Sequence, residues 1–243
     1  MLETITIFDD EAVDKKQSHR ITDIKEAVRD KNRVNIYIDD KFFCSLDISQ
    51  VVDLHLKIGK ELSDEEKSQL KHASEFGRFY QRALEYSLMR PRSSKEIRDY
   101  LKKKTLSRKV RVKNRKTGEY QTKEKQGFDA SLIQPVYNRL EERGYIDDER
   151  FAKLWVENRN VSKGASAKKL RLELQQKGIS HQIIEKVFNE TSRNDQDELQ
   201  KIIAKKRAKY SDEQKLIQYL LRAGFDYSDV SDALSESSES DCS

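Results

Sequence analysis

Three stretches of the chain lie over one another in register: KEIRDYL (Lys95–Leu101), KKLRLELQQKGIS (Lys168–Ser180) and QKLIQYLLRAGFD (Gln214–Asp226). Ile97, Leu170 and Leu216 take one position, and Leu101, Leu174 and Leu220 take the next, one helical turn later. Gly178 and Gly224 follow the second and third copies, where a left-handed residue commonly ends a helix. A further helix is expected after each copy, in FDASLIQPVYNRL (Phe128–Leu140), ISHQIIEKVFNE (Ile179–Glu190) and FDYSDVSDAL (Phe225–Leu234). These align Ile133 with Ile184 and Val230, then Val136 with Val187 and Ala233. Another helix precedes each copy, in FGRFYQRALEYSLM, ERFAKLWVENRN and ELQKIIAKKRAKY. A three-helix unit of this size cannot bury its apolar face alone. The repeat therefore predicts a mainly α fold, an elongated and curved array of three units covered by their neighbours.

With 8 Gly, 2 Pro and 37% charged residues in 243, little interrupts helix formation. The beginning of the chain reads differently. Arg33–Ile38 alternates, with Val34, Ile36 and Ile38 on one face. Asp39 and Asp40 make a turn, Lys41–Leu46 returns, and Arg20–Val28 supplies a third strand, predicting a small antiparallel sheet. A short helix follows, capped by Asp47 or Ser49, and Ser63 and Glu66 have capping-box spacing for a second. The expected organisation is a β-rich domain at 1–75, repeats at 76–148, 149–193 and 194–234, and a disordered acidic tail at 235–243.

The net charge of +5 conceals a concentration. Residues 78–127 carry 17 basic and 5 acidic side chains, a local excess of 12. Part of it is an insertion in the first repeat, 102–127, whose centre predicts a projecting β-hairpin around Asn114–Gly118. Its cations are Lys102, Lys103, Lys104, Arg108, Lys109, Arg111, Lys113, Arg115, Lys116, Lys123 and Lys125. Just upstream, in LMRPRSSKEIRDYL, Pro91 breaks one helix and Ser93 or Ser94 caps the next, which displays Arg90, Arg92, Lys95 and Arg98. Helix N-termini with nearby arginines attract phosphates. The second repeat has a comparable junction with Arg159, Lys163, Lys168, Lys169 and Arg171. These cations are the candidate contacts for nucleic acid or another polyanion.

Enzymatic chemistry finds little support. His19, His55, His72 and His181 lack the spacing to one another or to a cysteine that a zinc site needs. There is no phosphate-binding glycine loop and no nucleophile elbow. Cys44 reads as a small core residue, and two distant cysteines, Cys44 and Cys242, fit a reducing cytoplasm. No apolar run approaches the ~18 residues of a membrane span, and the acidic N-terminus lacks a signal-peptide core. The run Asp147, Asp148 and Glu149 is the best catalytic candidate, since a carboxylate-dependent nuclease needs clustered acids. It also stands where Asp147 or Asp148 would cap a helix, with Tyr145 and Ile146 packed between units. DQDELQKII repeats the device with Asp195 or Asp197. Capping is the expectation, with no catalytic residue, cofactor or metal.

The stretches ALEYSLMRPRSSKEIRDYLKKK, VYNRLEERGYIDDERFAKLWVENR and KGASAKKLRLELQQKGIS resemble the RecX family of recombination regulators in order and spacing, over roughly Phe79–Leu234. The resemblance implies a non-enzymatic modulator of recombination and DNA repair; a monomer is expected. It would bind the RecA recombinase filament in its helical groove, inhibit ATP hydrolysis and strand exchange, and block filament growth. The alternative is a protein that binds single- or double-stranded DNA directly, with no recombinase partner. Two departures stand out. Ala165 occupies a position where many members carry Pro, and the 102–127 insertion exceeds the usual connection.

Overall fold

The structure, a computed structural model, describes residues 19–28, 30–114, 117–162, 164–191, 194–210 and 212–240. It divides into two compact units, residues 1–79 and 80–243. The division falls within one helix, a few residues past the expected boundary at 75.

In the first unit, β1 (His19–Ala27), β2 (Asp30–Ile38), β3 (Lys41–Asp47) and β4 (Glu61–Leu62) form an antiparallel sheet in the order β3-β2-β1-β4. The predicted strands are present, and β4 is one that two residues of sequence do not announce. Asp39 and Asp40 both have positive φ, 50° and 62°, as the tight turn between twisted strands requires. Ile21, Ile36, Cys44, Leu46 and Leu62 are buried on one side of the sheet. Burial pushes the Cys44 thiol up to about 11, consistent with a packing role. Arg33 is buried among its own partners, donating to the Ser45 carbonyl at 2.6 Å and pairing with Asp47 at 3.1 Å. Asp47 precedes α1 (Ile48–Asp53), and Ser63 and Glu66 form the expected capping box at the start of α2 (Asp64–Leu88).

The second unit is the repeat array. The end of α2, α3 (Ser94–Thr105) and α4 (Ile133–Glu142) make the first copy. The second is α5 (Asp148–Ser162), α6 (Ala167–Gln176) and α7 (His181–Glu190). The third is α8 (Asp195–Arg207), α9 (Glu213–Arg222) and α10 (Tyr227–Ser240). The six aligned aliphatic positions on α3, α6 and α9 are all buried. In the following helices Ile184 and Val230 are buried, but Ile133 is only half-buried. A 3-10 turn at Ala130–Leu132 rotates the first copy, so that Leu132 takes the core position.

Between α3 and α4 the insertion forms the predicted hairpin, β5 (Arg108–Lys113) against β6 (Tyr120–Lys125), paired from Arg108↔Lys125 to Lys113↔Tyr120. Gly127 closes its base: a Cβ there would stand 2.1 Å from the Thr105 carbonyl oxygen, so only glycine lets the returning chain cross the end of α3. The tail expected to be disordered from residue 235 instead begins inside α10, which continues to Ser240; 241–243 lie outside the described residues. Once Ala233 and Leu234 anchor the helix, each further residue adds a backbone bond without a new nucleus. No helix among the described residues is long and apolar enough to cross a membrane.

Candidate interaction surface of the helical repeats

The basic junction of the first repeat is a joint between copies. Ser93 is fully buried and caps α3 by accepting from Glu96 N, while Glu96 accepts in return from Ser93 N. The Ser93 hydroxyl also donates to the Lys177 carbonyl at 2.8 Å, and Lys95 Nζ donates to the Gln176 carbonyl at 2.9 Å, both at the C-terminus of α6. Asp148, the first residue of α5, accepts from Ser94 N and from the Ser94 hydroxyl, each at 2.7 Å.

The next joint repeats these contacts. Ser166 caps α6 and donates to the Gly224 carbonyl at 2.7 Å; Lys169 Nζ donates to the Arg222 carbonyl; Asp195, the first residue of α8, accepts from Ala167 N at 2.9 and 3.0 Å. Gly144, Gly178 and Gly224 all have positive φ, and each donates back into the helix it ends. A Cβ on Gly178 would stand 2.7 Å from Lys95 Cβ, so the joint also needs the missing side chain.

The acidic run is therefore divided between two helices. Asp147 caps α5, accepting from Arg150 N at 2.8 Å, while Asp148 reaches back to α3. In the third copy Asn194 is the cap, accepting from Gln196 N, which leaves Asp195 for the joint. Asp148 and Asp195 each sit at the positive end of the preceding copy's helix, α3 and α6. The anion that the α3 N-terminus attracts is thus the chain's own. Among the described residues no cluster of three or more His, Cys, Asp or Glu is arranged for a metal ion.

Most junction cations are likewise engaged. Arg90 forks onto Glu96 at 2.9 and 3.1 Å, and Lys177 reaches the same carboxylate at 2.9 Å. Burial alone would raise Glu96; the hydrogen bonds from Arg90 and Lys177 overcome it and hold the carboxyl at about 2. Arg92 lies 3.9 Å over the Tyr86 ring, Tyr86 stacks on Tyr100 at 4.0 Å, and Lys104 lies 5.0 Å over Tyr100. Arg98 covers Tyr137 at 3.8 Å. In the second copy Lys168 pairs with Asp226, and Arg171 pairs with Glu185 above Phe188.

Arg115, Lys116 and Lys163, and the side chain of Arg159, lie outside the described residues. The remaining sequence candidates differ from the junction set. Lys102, Lys103, Arg108, Lys109 and Lys113 are exposed and form no ion pair among the described residues, and Arg111 is exposed over Tyr120. Burial and the neighbouring Arg108, Arg82, Lys103 and Lys125 push the Lys104 ammonium down, a sign of crowded like charge at the hairpin base.

One cleft, of about 210 Å³, was not foreseen. Leu88, Arg90, Arg92, Tyr145, Arg150 and Phe151 line it. Tyr145, expected to pack between units, is instead 38% exposed and lines this cleft. Leu88 and Met89 are 65% and 78% exposed beside it. The run Leu88-Met89-Arg90-Pro91 was the available signal: two large apolar residues at a helix end with no later apolar partner in phase.

Both units match known proteins. Residues 19–63 match the model of the regulatory protein RecX N-terminal domain, and residues 147–187 match that of the RecX second three-helix domain. Regulatory protein RecX of Bacillus licheniformis is 30% identical over 223 residues, covering 89% of this chain and 76% of its own length. That of Bacillus subtilis is 29% identical with the same coverage. A crystal structure of a regulatory protein RecX superposes with a TM-score of 0.64 at 22% identity, over 88% of this chain and 99% of that one, and so shares its fold.

Proposed function

This chain belongs to the RecX family of regulatory proteins, and we propose that it regulates a RecA recombinase by occupying the recombinase filament. The supporting observation is a match to RecX proteins that runs through both units. In this reading the protein inhibits ATP hydrolysis, strand exchange and filament extension, and it transforms no substrate of its own. It acts as a cytoplasmic monomer, with a small N-terminal domain at 1–75 and repeats at 76–148, 149–193 and 194–234.

The surface suits a partner that presents both protein and phosphate. Exposed Leu88, Met89 and Tyr145 offer apolar area beside the cleft, and such groupings mark protein contacts. Lys102 and Lys103 project their charge at the end of α3. The cations built into the joints hold the repeats in the geometry that presents this surface.

The test is ATP hydrolysis by the cognate RecA on single-stranded DNA, with increasing amounts of this protein. Hydrolysis falls as the protein is added, and the doubly reversed Lys102→Glu/Lys103→Glu protein needs at least ~10-fold more. An unchanged rate at equimolar protein would overturn the reading; equal potency of the reversed protein would remove this surface from it.

A further inference from the structure

The hairpin insertion separates α3 from α4 where the other two copies have a short turn, and its side chains are arranged for a particular kind of target. In an antiparallel pair, residues directly opposite share a face, and successive pairs alternate faces. The pairs Arg108↔Lys125, Val110↔Lys123 and Val112↔Gln121 therefore form one face, and Lys109↔Glu124, Arg111↔Thr122 and Lys113↔Tyr120 form the other. Each face carries three cations: Arg108, Lys123 and Lys125 on the first, Lys109, Arg111 and Lys113 on the second. Glu124 is the one acid within the two strands. All six cations are exposed, and Val110 is the one strand residue that is even half-buried.

A ribbon that packed on a protein surface would have one face made for that surface and one for water. A ribbon with like charge on both faces is instead suited to lie between two walls of negative charge. The major groove of B-form DNA, about 12 Å wide with phosphates along both edges, admits a two-stranded ribbon. Six residues extend about 20 Å, the span of roughly six phosphates along each strand. Single strands are better held by bare aromatic faces. Here the one hairpin aromatic, Tyr120, has Arg111 4.9 Å and Lys113 6.0 Å over its ring.

We propose that the β5–β6 hairpin is an arm that enters the major groove of duplex DNA and neutralises phosphates on both groove walls. This stands apart from recombinase regulation, since it needs no other protein.

The test uses the full chain without any recombinase, and fluorescence anisotropy of a 25-base-pair duplex and of the matching single strand. Replacing all six cations by Gln should lower the slope of log K against log salt by about 5, at ~0.9 per phosphate contact. Replacing either face's three should remove about half of that loss. Bound wild-type protein should protect guanine N7, a major-groove atom, from methylation. The six Gln side chains replace exposed ones, so an unchanged thermal midpoint is expected and reports that the variant is folded.

Loss confined to one face would show a ribbon lying flat on a single surface and overturn the proposal. So would unprotected N7 in the bound duplex, or single strands bound as tightly as duplex. Any of these results leaves inhibition of RecA hydrolysis intact, so the two readings fail separately.

Discussion

Asp148 shows how one residue's neighbours in space can outweigh its neighbours in sequence. It follows the cap of α5 yet supplies the anion for α3, through two hydrogen bonds of 2.7 Å to Ser94. Asp148→Ala should lower stability by about 0.5–2 kcal/mol in urea unfolding, the usual cost of a lost cap, and leave RecA inhibition proportional to the folded fraction. A nuclease would instead lose its turnover while keeping its stability. Glu96 carries a pH dependence of defined sign. Its carboxyl is held at about 2 against an ordinary 4.5, so its contribution is complete above about 4.5 and is lost as pH falls toward 2. The difference in urea midpoint between wild type and Glu96→Gln should therefore shrink over that window; a constant difference would show that the ionised form is not what the joint uses.

Elements whose causes are local were legible in the sequence. The buried pairs Ile97/Leu101, Leu170/Leu174 and Leu216/Leu220 follow from helical spacing, the C-terminal glycines from their left-handed φ, and the 39–40 turn from its flanking alternation. What was not legible depends on contacts between elements. Nothing within LMRPRSSKEIRDYL says that Arg92 will lie on Tyr86, that Tyr86 will stack on Tyr100, or that the α3 N-terminus is already filled by an acid 54 residues on. The basic residues of the first two repeats therefore form two populations, cations that fasten helices and cations that face outward. Among the described residues, the cations of the two hairpin strands belong to the second. Replacing Ser107–Gln126 with a short Gly-Ser turn should change the stability of the repeats by less than about 1 kcal/mol. No strand residue is buried, and loop closure costs only ~0.6 kcal/mol per doubling of length. Thermal unfolding of the shortened protein checks this, and a large loss would mean that the arm braces the body.

At the scale of the molecule, the two joints are interchangeable couplings with a direction. The N-terminus of α3 plugs into the C-terminus of α6, and the N-terminus of α6 plugs into that of α9. Each plug is a buried serine, each socket ends in a glycine, and each is latched by the first aspartate of the following copy. Among the described residues the C-terminus of α3 receives no serine plug from another copy, and the hairpin is spliced in there, its returning chain crossing that end at Gly127. Matching couplings also mean that a middle segment can be taken out and the ends rejoined. Deleting residues 148–194 sets Asp195 directly after Asp147, in the place of Asp148, and offers Arg222, Ala223 and Gly224 to Ser93 in place of Gln176, Lys177 and Gly178. The shortened chain should remain helical by circular dichroism and unfold cooperatively, as one carriage fewer on the same train of helices.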